Sequence, residues 1–238
     1  MFPSGRLRQA LRAAVLDAWA VLLPTECSGC GRPDRALCAA CRAALLPEPR
    51  AAFRDDLTIW SAVDYTEVTG RVLVAYKDGG RTDAAPALAA ALRSAVRAAL
   101  AATAAPGGSA PGGSAAGDGI LLVTVPSSRR AWRLRGFHPV DGLLGRAGLR
   151  PTPLLRQSGR ILDQVGLGKA ERLDNRRGSL VATRPLTGSR VVLVDDIVTT
   201  GATLLEARRA IRQAGGEVLA AATVAHTRRR QPDVPQSG

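Results

Sequence analysis

At 238 residues the chain has room for one core of ordinary size plus a small module. Hydrophobic residues make up 46% of a globular composition with only 3% aromatics, so the core has to be built from Ala, Leu and Val. The net charge of +13 rests almost wholly on arginine, since Lys77 and Lys169 are the only lysines among 33 basic residues. That charge favours polyanions, whether nucleic acid or pyrophosphate-bearing metabolites; an arginine- and alanine-rich composition gives the same balance with no partner behind it.

No run of 18 apolar residues occurs, so no membrane span is predicted. The N-terminal segment is interrupted by Asp17 and followed by no clear cleavage site, which reads as a cytoplasmic protein. Within it, Leu7, Leu11, Ala14, Ala18 and Leu22 recur at helical spacing, predicting an amphipathic helix over 6–23 that docks on its own domain. Membrane-surface binding is the alternative use of such a helix.

All four cysteines follow, in CSGCGRPDRALCAAC. Cys27 and Cys30 form one C-x-x-C pair, and Cys38 and Cys41 the other. Each such turn brings two thiolates within reach of one ion, and two turns complete the tetrahedral sulfur set that suits a structural Zn²⁺. Four thiolates leave no coordination position open for catalysis. Disulfides or a redox C-x-x-C are the alternatives, opposed by a cytosolic setting and by the pairing. The composition changes after Pro47 and Pro49, so the first module, helix plus ribbon, is placed at 1–50 and a second domain at 51–227.

In that second domain, residues 57–65 read as a strand and 68–76 as a short apolar helix or strand ending in AYKDGG. Lys77 offers one cation on an approachable backbone, suited to pyrophosphate, although K-D-G-G is also a plain turn. Residues 84–103 predict an alanine-rich helix, and residues 104–119 a Gly/Ser-rich disordered insertion. Ile120 to Val125 reads as a buried strand. After it comes SSRRAWRLRGFHP, with Arg129, Arg130, Arg133 and Arg135 around Trp132 and Phe137. Such a run can track a nucleic-acid backbone, close as a lid over pyrophosphate, or form a solvated helix face. Leu154-Leu155 marks a further strand, 164–175 a loop and short helix, and 228–238 a disordered tail. Strands alternating with helices imply an α/β fold with a doubly wound parallel sheet and ligands at the strands' C-terminal ends.

The most informative stretch is VVLVDDIVTTGATL, Val191 to Leu204. Val191–Val194 read as a strand buried on both faces, and Leu204, Ala207, Ile211 and Ala214 as a helix stopped by Gly215-Gly216. A strand running into a helix N-terminus presents unpaired N–H groups and a positive dipole end. Gly201 admits close approach and Thr199, Thr200 and Thr203 add hydroxyls, which makes a phosphate cradle. Asp195 and Asp196 would repel phosphate and so face a ribose diol or Mg²⁺ held by sugar hydroxyls. The G-x-x-x-x-G-K-[ST] and G-x-G-x-x-G spacings are absent. An ordinary turn with Thr199 or Thr200 as N-cap is the bland alternative, set against the cost of adjacent buried aspartates.

The stretch resembles the phosphoribosyl pyrophosphate (PRPP) loop of type I phosphoribosyltransferases. That resemblance implies ribose contacts from Asp195 and Asp196, and 5′-phosphate binding by Thr199, Thr200, Gly201, Ala202 and Thr203. CSGC…CAAC, AYKDGG, VP…RRAWRLRGF, Gln164 with Arg172 and Asn175, and the PRPP loop occur in the order seen in ComF-like competence proteins, and the chain is identified as resembling that family: an N-terminal zinc ribbon joined to a type I phosphoribosyltransferase domain. The resemblance implies that Lys77 lies on the pyrophosphate side and that Arg135 with Gly136 belongs to a flexible loop over the site. His138 departs from the asparagine usual after R-G-F. The expected activity is binding of PRPP or a related phosphorylated ribose with Mg²⁺, and transfer of phosphoribosyl to an acceptor that the sequence does not name. A non-catalytic accessory of DNA uptake, with single-stranded DNA and the uptake machinery as partners, is the rival; a ligand sensor without turnover is the third reading.

Overall fold

The computed structural model describes residues 26–33, 35–104, 119–127, 129–158 and 178–227. The expected helix over 6–23, the insertion save its end residues 104 and 119, Gln164, Arg172, Asn175 and the tail lie outside them. In chain order the described elements are α1 (Ala39–Ala43), β1 (Arg50–Arg54), β2 (Leu57–Asp64), α2 (Glu67–Lys77), a 3₁₀ turn (Thr82–Ala84) and α3 (Ala85–Thr103). They continue with β3 (Ile120–Thr124), α4 (Arg129–Arg135), α5 (Pro139–Arg146), β4 (Leu155–Gln157), β5 (Leu180–Ala182), β6 (Arg190–Val198), α6 (Ala202–Gln213) and β7 (Glu217–His226).

Five strands form the central sheet in the order β1-β2-β7-β6-β3. β2, β7, β6 and β3 run parallel, as the alternation of strands and helices predicts. The sheet is nevertheless mixed, because β1 pairs antiparallel with β2 at the edge. The physical reason is short: Asp55 and Asp56 alone join the two strands, and a parallel return needs a crossover of a dozen residues or more. Val191, Val192, Leu193 and Val194 are fully buried at the heart of the sheet. The strand read at Leu154-Leu155 exists, but it pairs with β5 in a separate two-stranded antiparallel sheet.

Helices cover both faces of the sheet. On one, α3 buries Leu88, Leu92, Ala95, Val96 and Ala99 in a cluster shared with Val72 and Leu73 of α2 and Leu143 and Leu144 of α5. Small alanines let this helix lie close to a sheet whose β7 is itself Ala-rich. On the other face, α6 buries Leu204, Ala207, Ala210 and Ile211 against Leu193, Ala221 and the β4–β5 ribbon. Thr82–Thr103 is long and apolar enough to cross a membrane, although it contains no unbroken run of 18 apolar residues. Its buried face is committed to the sheet, as in a core helix.

The cysteine segment is built into the first of these clusters. Cys27, Leu37, Cys38, Cys41 and Leu45 share it with α2 and α3. A Cβ on Gly29 would sit 2.7 Å from Cys41 Sγ and 3.1 Å from Val68 Cγ1, so the knuckle closes against α2 only because that side chain is missing. Arg81 adds a hydrogen bond from Nη2 to the Glu26 carbonyl, 2.8 Å.

Candidate functional site

β6 carries its two acids inside the strand, at its C-terminal end, rather than in the loop beyond. Asp195 accepts a hydrogen bond from the Asp196 amide on Oδ1, 2.9 Å. Burial, and after it the charge of Asp196, pushes the Asp195 carboxyl up to about 8. Asp196 is answered by a cation: its Oδ2 pairs with Lys77 Nζ, both side chains being largely buried. The two acids are thereby separated in role. Asp196 is ion-paired with a lysine, while Asp195 holds its proton up to about pH 8.

Lys77 closes α2, and the K-D-G-G turn that follows is shaped by its glycines. A Cβ on Gly79 would meet the Ala75 carbonyl at 2.8 Å, and Gly80 has φ +63°. The turn is therefore both a turn and the mount for a cation in the site. Asp78 accepts a hydrogen bond from Arg135 Nε, 2.8 Å. The segment expected to be a flexible loop is, around Arg135, the end of helix α4. It is pinned further by Phe137, edge-on to Tyr76 at 5.8 Å between ring centres, and by Tyr76 Oη donating to the Pro139 carbonyl, 3.0 Å. Trp132 and Leu134 of the same helix are exposed. His138 occupies the N-cap of α5 and makes no side-chain capping bond.

Beyond β6, Thr199 and Thr200 are exposed, and α6 starts at Ala202. Gly201 precedes it at φ +84°, a left-handed conformation that side chains rarely adopt. The N-cap of α6 is Gly201, with no side-chain capping bond, so neither Thr199 nor Thr200 is the cap expected of a plain turn; Thr200 Oγ1 accepts from the Ala202 amide, 3.3 Å. Among the described residues no backbone carbonyl takes the N–H of Thr200 or Gly201. The cradle is open at those two amides.

Two features escaped the sequence reading. Arg54, at the end of β1, reaches the loop and donates from Nη2 to the Thr199 carbonyl, 3.3 Å. Its only sequence signal is its place before the Asp55-Asp56 turn. The second is a cavity of about 280 Å³ at the C-terminal ends of β2 and β7, lined in part by Glu48, Arg50, Asp64, Thr66 and His226. His226 Nε2 lies 3.5 Å from Asp64 Oδ1. The cavity also borders Ser61, whose hydroxyl bonds Thr223 at 2.8 Å; Thr223 stands in register with Asp195.

The four cysteine sulfurs lie within 4.8 Å of one another, and Cys30 Sγ and Cys38 Sγ are 3.7 Å apart. Tetrahedral Zn–S bonds of about 2.3 Å give sulfur–sulfur edges of about 3.8 Å. The donor set fits a structural zinc. Burial opposes ionisation of Cys27, yet amide donors led by Cys38 hold its thiol down at about 6. Burial pushes the Cys41 thiol up.

Comparison with known proteins agrees with this geometry. Residues 153–237 match the phosphoribosyl transferase domain family. Orotate phosphoribosyltransferase of Mycobacterium avium is 36% identical over 88 residues, covering 37% of this chain and 49% of the relative. Adenine phosphoribosyltransferase of the same organism is 39% identical over 75 residues, covering 29% and 40%. The chain is α/β, and its C-terminal part, residues 153–237, is similar to the phosphoribosyl transferase domain family. Competence protein ComFC of Streptococcus pneumoniae is 28% identical over 96 residues, 40% of this chain and 43% of the relative. The N-terminal four-cysteine cluster is consistent with the zinc ribbon that the ComF resemblance implies. It spans less than half the length of each of these relatives.

Two outcomes test the site. The raised Asp195 favours the fold fully below the unfolded-state value of about 4, and that contribution is lost as pH climbs through about 8. Asp195→Asn should therefore melt above wild type by a margin that widens from pH 5 to pH 8 and then levels, which thermal melts across that range check. The purified chain should carry about one zinc, and chelation should lower its melting temperature markedly; a zinc-free chain with an unchanged melt contradicts the ribbon.

Proposed function

We propose that the chain binds PRPP, or a related phosphorylated ribose, as its Mg²⁺ complex, and transfers the phosphoribosyl group to an acceptor that its sequence leaves open. The observation that carries this reading is the Lys77–Asp196 pair, which joins the K-D-G-G turn to the acid pair ahead of the phosphate cradle. A ligand with a 5′-phosphate, a ribose diol and a pyrophosphate meets three kinds of group in that arrangement. The open amides of Thr200 and Gly201, with the hydroxyls of Thr199, Thr200 and Thr203 and the start of α6 at Ala202, suit the phosphate. Asp195 and Asp196 suit the diol, as hydrogen-bond acceptors once ionised. Lys77, and Arg135 across Asp78, bring positive charge to the pyrophosphate side. Magnesium bound with the ligand would neutralise pyrophosphate charge as it leaves. The chain's share is positioning and charge stabilisation around a developing oxocarbenium centre, with no covalent intermediate.

Exposure of Trp132 and Leu134 on the basic helix α4 favours a second reading, a binder of single-stranded DNA. It comes to this chain from its likeness to a competence protein as well.

Titration calorimetry separates the two. Wild type should bind PRPP with Mg²⁺ at micromolar affinity or better, and the double variant Asp195→Asn/Asp196→Asn should lose at least tenfold, about 1.4 kcal/mol. Absence of PRPP binding, combined with oligonucleotide binding that falls steeply with salt, gives the site to nucleic acid instead.

A further inference from the structure

We infer that Arg54 is a positioning residue for the phosphate cradle, acting through the backbone of Thr199; the inference rests on the reading of that loop as a phosphate site. Arg54 belongs to the edge hairpin, far from the loop in sequence. Its Nη2 donates to the Thr199 carbonyl at 3.3 Å and its Nη1 to the Phe53 carbonyl at 2.9 Å. The described peptides are all trans. In a trans peptide the carbonyl of one residue and the N–H of the next point in opposite directions across one rigid plane. Fixing the Thr199 carbonyl on the arginine therefore aims the Thr200 N–H away from it, out of the loop. That amide is one of the two the cradle leaves open.

Two further observations show that the contact is built. A Cβ on Gly201 would stand 2.8 Å from Arg54 Cγ, so the glycine that the sequence offers to an anion makes room first for this side chain. The hairpin that carries Arg54 is braced on α6, the helix the cradle opens. Asp56 pairs with Arg208, and with Arg212 at 3.1 Å; Asp55 lies 3.9 Å from Arg208. Hairpin, helix and loop close a circuit, and a change in any of the three is felt at the Thr199–Thr200 peptide. Among the described residues Arg54 Nε is buried with no hydrogen-bond partner, a cost that an arginine serving only as surface cover would avoid by turning into water.

Calorimetric titration of wild type, Arg54→Lys and Arg54→Ala with ribose 5-phosphate, PRPP·Mg²⁺ and inorganic pyrophosphate tests this, alongside thermal melts. Arg54→Ala should weaken ribose 5-phosphate and PRPP by a common factor of roughly tenfold and leave pyrophosphate unchanged, with Arg54→Lys between the two. A merely structural role would lower the melting temperature and weaken all three ligands together, and that pattern overturns the inference. Equal binding by wild type and both variants overturns it too and leaves the PRPP reading standing. A wild type that binds neither phosphorylated ribose removes both. Should Arg54→Ala fail to fold, Arg54→Lys alone decides by the same comparison of ligands.

Discussion

The pair between Lys77 and Asp196 is the contact on which the rest of the site depends. Two carboxylates adjacent on a buried strand repel each other and lose hydration, so the strand cannot carry both as anions without help. Lys77 answers one of them. Asp195 stays close to neutral, its carboxyl turned back to the Asp196 amide. The end of β6 thus carries an ion-paired acid beside a proton-holding one. The same lysine ends α2, whose Val72, Leu73 and Tyr76 lie in one buried cluster with the cysteine knuckles. Core packing, the cysteine cluster and the acid pair are mechanically continuous through that helix.

Continuity of this kind gives the cysteine cluster a purpose in the fold. Cys27, Cys38 and Cys41 are buried beside α2, and Gly29 has no room for a side chain against Val68. Arg81, four residues after Lys77, ties the following turn to the Glu26 carbonyl. An ion held by the four sulfurs would stiffen the platform from which Lys77 and the K-D-G-G turn are presented. On the opposite flank the Asp55-Asp56 hairpin, braced by Arg208 and Arg212, supports the cradle. The site is gripped from both sides of the sheet.

Much of this was legible in the chain because the signals are local. Val191–Val194 reads as a buried strand from four apolar β-formers, the cysteine quartet from spacing alone, and α3 from alanine-rich helical periodicity. β7 was not read at all: EVLAAATVAH contains more helix-favouring alanine than β-branched residues, and only its place between β2 and β6 makes it a strand. β1 was hidden at the module boundary, where a short run of R-A-A-F-R gains meaning from pairing with β2. The acids were identified, yet not their position within the strand, since the ladder to β7 continues to Val198. Arg54, Asp64 and His226 gave no usable pattern, because sheet topology is what brings Arg54 to the Thr199 loop and Asp64 beside His226.

The proton held on Asp195 is also the feature most directly open to measurement. If a phosphorylated ribose engages Asp195 as a carboxylate, through its diol or Mg²⁺, the proton that this carboxyl holds up to about pH 8 has to leave. Titration of PRPP·Mg²⁺ in buffers of differing ionisation heat measures that proton directly. The account predicts release approaching one proton per site near neutral pH, fading as the pH is raised past 8. Binding with the same heat in every buffer would contradict it.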